Sequence, residues 1–237
     1  MASLPDLDRS STDSSAQVDA GYVPLQQTPY RGHDLLAQAV IGNVPAGGRV
    51  FEGGVSSGYF ARLLVDAGLT VDGADLDADA ARVAAQVCEV VLVGDLSTMD
   101  LGKLRPPYDA FVFGDTLEHL PDPPAVLRRL RPLLRDDGVV VISIPNIANW
   151  AIRLGLLFGR FRYTERGILD RTHLRFYTRR TLTEMFRDAG FRVDELVAAV
   201  PVPFISWRPL CQLAHRIGNL RPSLFAYTFI VVARPTR

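Results

Sequence analysis

Between residues 49 and 144, short apolar runs alternate with amphipathic stretches, and this alternation constrains the fold more than any other feature of the chain. Strand candidates are residues 49–52, 69–74, 89–93, 110–114 and 139–144; between them, residues 59–67, 78–85 and 125–134 are predicted helices. A strand that pairs parallel to its predecessor needs a crossover, and a helix supplies it. The pattern therefore predicts βαβ units and a mostly parallel sheet with helices on both faces, the doubly wound α/β class. A helix over residues 180–189 and two later strands, 192–198 and 226–234, complete seven strands; the late pair need not be parallel.

Around this frame the chain is less regular. Residues 1–29 are a Ser/Asp/Gln/Pro mixture without period and read as a flexible tail, so a single folded domain is expected over 30–237, opening with a helix from His33 to Ile41. Residues 147–178, after the fifth strand, form a long irregular insertion holding Trp150, Phe158, Phe161, Tyr163 and Phe176, and residues 201–224 form a second irregular segment. Insertions of this length are usually functional. Lys plus Arg balance Asp plus Glu at 26 each, which disfavours a uniformly basic nucleic-acid binder. No run approaches the roughly 18 apolar residues of a membrane span, and no basic-then-apolar leader opens the chain, so a cytoplasmic location is expected. Cys88 and Cys211 lack any CxxC spacing and read as plain thiols, and no metal cluster is evident.

The first predicted strand ends in Glu52-Gly53-Gly54-Val55-Ser56-Ser57-Gly58, where an open α/β sheet holds a nucleotide-like ligand. Two departures from the dinucleotide fingerprint stand out. The strand ends in an acid, Glu52, which would repel a pyrophosphate seated on a helix N-terminus, and Ser56 replaces the middle glycine. A ligand carrying an ammonium group and no phosphate suits both, and S-adenosylmethionine is such a ligand. Asp75 lies 21 residues after Gly54, the spacing of an acid that accepts from a ribose diol, with Leu76 beside it. Asp95, past the third strand, is placed to accept from an adenine amino group, with Leu96 against the ring. The alternative for each of these acids taken singly is a plain turn or cap role, which fits the set less well than the single residues.

These segments resemble the class I S-adenosylmethionine-dependent methyltransferases over roughly residues 30–200. Glu52-x-Gly54-x-Ser56-x-Gly58, Asp75 and Asp95 resemble that family's first three cofactor motifs. The run from Asp109 through Glu118-His119 to Pro123, with Leu133 to Asn146, resembles its fourth strand, following helix and fifth strand. The resemblance implies a seven-stranded Rossmann-like sheet, S-adenosylmethionine as cofactor, and Asp115 and Thr116 bordering it. The stretch Pro145-Asn146 … Asp170-Arg-Thr-His173-Leu-Arg175-Phe-Tyr-Thr178 is similar to a bacterial branch associated with glycan and natural-product pathways, whose members act on diverse small acceptors.

Methylating a hydroxyl requires alignment and removal of a proton, for which histidine is well tuned. His173 in the insertion is the first candidate base, with Asp170 three residues earlier to orient it; His119 is the second, while His33 and His215 have no supporting context. Asn146, Trp150, Tyr163 and Arg175 are candidate acceptor contacts. The leading expectation is O-methylation of a sugar or secondary-metabolite hydroxyl. Alternatives are C-methylation of an anionic apolar acceptor such as a prenyl diphosphate, a nucleotide-dependent oxidoreductase, a non-catalytic cofactor-binding regulator, or an assembly partner touching anionic lipid; self-association stays open. Charge is segregated: residues 50–122 hold 13 acids and 4 bases, residues 150–190 hold 4 acids and 9 bases. The acidic half suits a cationic cofactor, and the basic half leaves room for an anionic acceptor.

Overall fold

The computed structural model describes residues 32–200 and 208–236. The expected tail, 1–29, and residues 201–207 of the second segment lie outside them. Seven strands form one sheet in the order β3-β2-β1-β4-β5-β7-β6, built from β1 (Arg49–Gly53), β2 (Thr70–Asp75), β3 (Val90–Val93), β4 (Tyr108–Gly114), β5 (Leu134–Pro145), β6 (Phe191–Ala199) and β7 (Thr228–Pro235). The first five are parallel, and β7 runs antiparallel to both β5 and β6. The chain order reverses beside β1, leaving a crevice at the carboxyl ends of β1 and β4, where such sheets bind ligands.

Strand alternation sorts the core into two layers. Phe51, Phe111, Phe113, Val140 and Ile142 point to one face, where α4 (Pro123–Leu130) and α6 (Arg179–Asp188) bury Leu127, Leu130, Leu182 and Phe186. Val50, Val112 and Val141 point to the other, against α1 (Gly32–Asn43), α2 (Tyr59–Asp66) and Ala84 of α3 (Ala78–Ala84). Helix starts follow capping chemistry: Asp77 accepts from the amides of Asp79 and Ala80, and Asp122 accepts from that of Ala125.

Three predicted segments differ. The helix expected over 125–134 begins two residues earlier and passes at Arg131 into a 3-10 turn, because Pro132 cannot continue an α-helix; β5 then starts at Leu134, with a register shift between Tyr108 and Ala110 of β4. The insertion expected to be irregular contains α5 (Trp150–Leu157), capped by Asn149, whose side chain accepts from the Ala151 amide. None of its residues is buried. In the second segment, residues expected to be irregular form α7 (Arg208–Leu220) and α8 (Pro222–Phe225).

One polar contact inside the sheet carries a prediction. The Tyr108 hydroxyl donates to Asp72 Oδ2 at 2.7 Å, Arg49 reaches the same oxygen at 3.3 Å, and Asp72 is fully buried. Tyr108→Phe leaves this carboxylate a donor short, at an expected cost of about 1–3 kcal/mol. Thermal denaturation reads this as a fall of about 2–4 °C per kcal/mol.

Candidate active site

The crevice at the tips of β1 and β4 holds a cavity of about 180 Å³, bordered by Glu52, Gly54, Ser56, Gly114 and Asp115. Its shape depends on backbone that side chains rarely adopt. Gly54 has φ +78°, and a Cβ there would lie 2.6 Å from Thr116 Oγ1. Thr116 in turn hydrogen-bonds the carbonyls of Gly53 (3.1 Å) and Gly114 (3.0 Å), joining the two strand tips. Ser56 and Asp115 both have φ +48°, a left-handed conformation that non-glycine residues adopt only when their surroundings hold them. Ser56 is held by Asp75 Oδ2, which accepts its amide at 2.7 Å, and Asp115 by Ser143, which accepts its amide through Oγ at 3.0 Å. Gly58, φ +79°, sits at the start of α2, where a Cβ would press on the Ala84 backbone at 3.0 Å.

Glu52 lies at the base of the cavity, 3% exposed, with no hydrogen-bond partner for Oε2 among the described residues. Burial, reinforced by the nearby Asp75, holds its carboxyl well above the ordinary value. A buried acid with an unanswered oxygen, facing a cavity walled by close-approaching backbone, fits a cationic ligand that contributes its own N–H donors. It does not fit a pyrophosphate. The donor chemistry and the glycine cradle are therefore compatible with the amino-acid end of S-adenosylmethionine.

Asp75 and Asp95 stand at the ends of β2 and β3. Asp75 Oδ1 accepts the Asp77 amide at 2.9 Å, and Asp95 Oδ1 accepts the Ser97 amide at 2.7 Å. Each thus shapes its own turn while keeping lone pairs for a further donor. Leu76 is exposed beside Asp75. Leu96, expected against a ligand ring, is instead buried in the core beside Phe113, because its side chain turns inward under Gly53.

Past β4 the chain makes a 3-10 turn, Leu117–His119, and residues of the insertion dock on it: the amides of Leu174 and Arg175 both donate to the Glu118 carbonyl, at 2.9 and 3.0 Å. This docking brings His119 and His173 together, with ring centroids 4.8 Å apart in an edge-to-face arrangement. His173 is nearly buried; its Nδ1 lies 3.2 Å from the Ile168 carbonyl and its Nε2 3.9 Å from Glu118 Oε1. Burial and the neighbouring His119 hold its imidazole below the ordinary value. Glu118 is 1% exposed, neither carboxylate oxygen has a hydrogen-bond partner among the described residues, and burial, then Asp115, pushes its carboxyl well up.

Asp170 does not orient His173 as its spacing suggests. Its Oδ1 accepts both the amide (2.8 Å) and the hydroxyl (2.7 Å) of Thr172, and Thr172 lies 3.1 Å from His119 Nδ1. The carboxylate therefore acts on His119 through a threonine, while the His173 ring is held by a backbone carbonyl. Asn146 is also corrected: it is fully buried, its amide nitrogen donating to the Ala226 carbonyl at 3.0 Å and its Oδ1 accepting the Ala148 amide at 3.0 Å. It fixes the end of β5 to the start of β7 and has no face toward an acceptor. Arg175 Nε donates to the Pro121 carbonyl at 3.0 Å, bracing the loop. Trp150 and Tyr163 are 52% and 57% exposed on the insertion. Tyr163 meets Phe161, which meets Phe176, which meets His173, in a chain of edge-to-face rings.

Three residues that sequence reasoning left aside also border the cavity: His33, Tyr59 and Phe60. His33 Nε2 lies 3.7 Å from Asp115 Oδ2 and its ring stands edge-on to Phe60, with centroids 6.0 Å apart. Only α1 packing across the crevice brings His33 there, and no local motif signals it.

Comparison with known proteins agrees with this geometry. The sequence model of the methyltransferase domain family matches residues 27–196. A ubiquinone biosynthesis O-methyltransferase of Xanthomonas axonopodis pv. citri is 28% identical over 183 residues, 73% of this chain and 73% of that protein. A probable S-adenosylmethionine-dependent methyltransferase of Mycolicibacterium smegmatis is 31% identical over 70% of this chain and 60% of its own length. Among solved structures, the CcbJ methyltransferase of Streptomyces caelestis superposes with a TM-score of 0.60 over 87% of this chain and 91% of its own, at 17% identity, a likeness of fold. The family match over most of the chain, on a sheet of this order with this crevice, makes the protein a class I S-adenosylmethionine-dependent methyltransferase of the methyltransferase domain family.

Proposed function

We propose that the chain transfers a methyl group to a hydroxyl of a small acceptor, in the manner of a sugar or secondary-metabolite O-methyltransferase. The observation that carries the reading is the buried, half-answered Glu52 carboxylate beneath a glycine-walled cavity. Glu52 would take the ammonium of the cofactor, the backbone of Gly54 and Ser56 its amino-acid portion, Asp75 its ribose, Asp95 its adenine amino group, and Asp115 the region nearest the reacting carbon. When bound, S-adenosylmethionine supplies an activated methyl group. The protein's own contribution is to align the acceptor and to accept its proton.

Proton acceptance falls to the group at the tip of β4, Glu118, His119 and His173, with His119 the exposed member and the residues from α5 to Tyr163 as a cover over the acceptor. The name of the Xanthomonas relative, an O-methyltransferase, supports hydroxyl chemistry. Titration calorimetry with S-adenosylmethionine and with NAD tests the site: tight sulfonium binding without NAD binding is expected, and the reverse overturns the reading. Turnover on a panel of hydroxylated, thiol and amine acceptors then tests the hydroxyl assignment, which activity confined to amines would overturn.

A further inference from the structure

We propose that Glu118, His119 and His173 form a binding site for a first-row transition dication, with one carboxylate and two imidazole nitrogens as ligands. One ligand atom from each residue lies within 4.8 Å of the others. Their protonation pattern is the stronger argument. A carbonyl can only accept, and the Thr172 hydroxyl, 3.1 Å from His119 Nδ1, donates its proton to Asp170, so the 3.2 Å contacts of His119 Nδ1 with the Thr172 carbonyl and of His173 Nδ1 with the Ile168 carbonyl favour the Nδ1–H form of each neutral ring. Each Nε2 then carries a lone pair. His173 Nε2 faces Glu118 Oε1 at 3.9 Å, and neither Glu118 oxygen has a donor among the described residues. Three groups able to ligate a cation thus lie together, and neither oxygen of the Glu118 carboxyl, 1% exposed, is answered by a partner among the described residues. A carboxyl so placed ionises only at a cost, and a bound dication would offset that cost by displacing its proton.

The surroundings follow the same logic. Histidines that bind metals are oriented by a hydrogen bond from the other ring nitrogen to a carbonyl or carboxylate. His173 has this directly from Ile168, and His119 has it from Thr172, whose hydroxyl donates onward to Asp170 at 2.7 Å. The donor set selects the ion. Two imidazoles and one carboxylate suit Zn²⁺ and its neighbours, whereas Mg²⁺ and Ca²⁺ prefer oxygen throughout. Ligands on one tetrahedral ion with bonds of about 2.0–2.1 Å stand roughly 3.3 Å apart, so binding draws the group together, and the exposed His119 is the member able to move. A dication here would lower the pKa of a hydroxyl bound to it, so that its proton could pass to solvent water in place of the imidazoles then committed to the ion, which deepens the proposed reaction. The site itself rests on ligand geometry and not on that reading.

The test uses tag-free protein stripped with a chelator and titrated with Zn²⁺, Mn²⁺ and Mg²⁺ by calorimetry, with thermal denaturation alongside. One Zn²⁺ per chain, weaker Mn²⁺, no Mg²⁺ heat, and a melting temperature raised by Zn²⁺ are expected. Glu118→Gln, nearly isosteric, and His119→Ala, at an exposed position, should each lower Zn²⁺ affinity by at least about 10-fold while His33→Ala does not. Absence of Zn²⁺ binding, or unchanged affinity in both variants, overturns the site. Methyl transfer by a protein that binds no Zn²⁺ would leave the proposed function standing and remove only this site; Zn²⁺ binding by a protein that binds no S-adenosylmethionine would do the opposite.

Discussion

Glu52→Gln is expected to stabilise the cofactor-free protein at neutral pH and at the same time to weaken S-adenosylmethionine binding by about 10–100-fold, the worth of a lost hydrogen bond to a charged group. The two effects have one origin. In the free protein Glu52 is buried, near Asp75, and short of a partner, so its carboxyl titrates well above the value it has in an unfolded chain. A carboxyl whose folded value is raised adds stability while it is protonated in both states, below the unfolded value of about 4.5. That stability is lost as pH rises toward the folded value, because the native state then holds a proton the unfolded chain has released. Glutamine removes this loss, and each kcal/mol relieved raises the melting temperature by roughly 2–4 °C in a chain of this size. A cationic cofactor requires the ionised form, so its affinity for the native protein should rise with pH through the raised value, and this dependence should vanish in the variant. Glu118 titrates in the same direction and adds to the stability slope of both proteins, so the difference between them isolates Glu52. A variant that binds the cofactor normally, or that melts lower at neutral pH, would remove Glu52 from the assigned role.

The sequence made the sheet legible because its strands are short, apolar and separated by amphipathic helices, and β1, β2, β3 and β4 fall within two residues of their expected starts and ends. Helix α5 was not legible. Trp150-Ala-Ile-Arg-Leu-Gly-Leu-Leu157 is apolar nearly all round, so it carries no polar phase from which a helical period can be read, and its exposure gives it no core to face. The start of β5 was hidden by Asp136-Asp137-Gly138, which reads as a turn and is absorbed where the register shifts. In the site, acids at strand ends were readable because strand spacing alone places them at the crevice. Position along the chain does not tell which way a side chain points, which is why Leu96 and Asn146 face inward and Asp170 reaches His119 in place of His173. His33 and Glu118 depend on tertiary docking, of α1 across the crevice and of the insertion on the turn after β4.

Asp75→Ala is expected to reduce S-adenosylmethionine affinity by about 100-fold, near the upper end of the 1–3 kcal/mol range for a lost partner of a buried polar group. Two functions converge on this one carboxylate. Its oxygens accept the amides of Ser56 at 2.7 Å and Asp77 at 2.9 Å, so it holds the left-handed serine of the glycine turn and the start of α3, and its remaining lone pairs are assigned to the ribose diol. Alanine removes the ligand contact and also releases the turn that shapes the cavity. Asp75→Asn separates these contributions: its single carbonyl oxygen can hold one of the two amides, while its NH₂ confronts the other, so an intermediate loss is expected. Asp95→Ala supplies the comparison, since Asp95 accepts one local amide, from Ser97, and does not anchor the glycine turn. Its effect should be confined to the adenine contact and be smaller than that of Asp75→Ala. Calorimetry on the three variants, with melting temperature measured without cofactor, reads the order directly: equal losses for Asp75→Ala and Asp95→Ala would mean that the turn gains nothing from Asp75, and normal affinity in Asp75→Ala would place the ribose elsewhere.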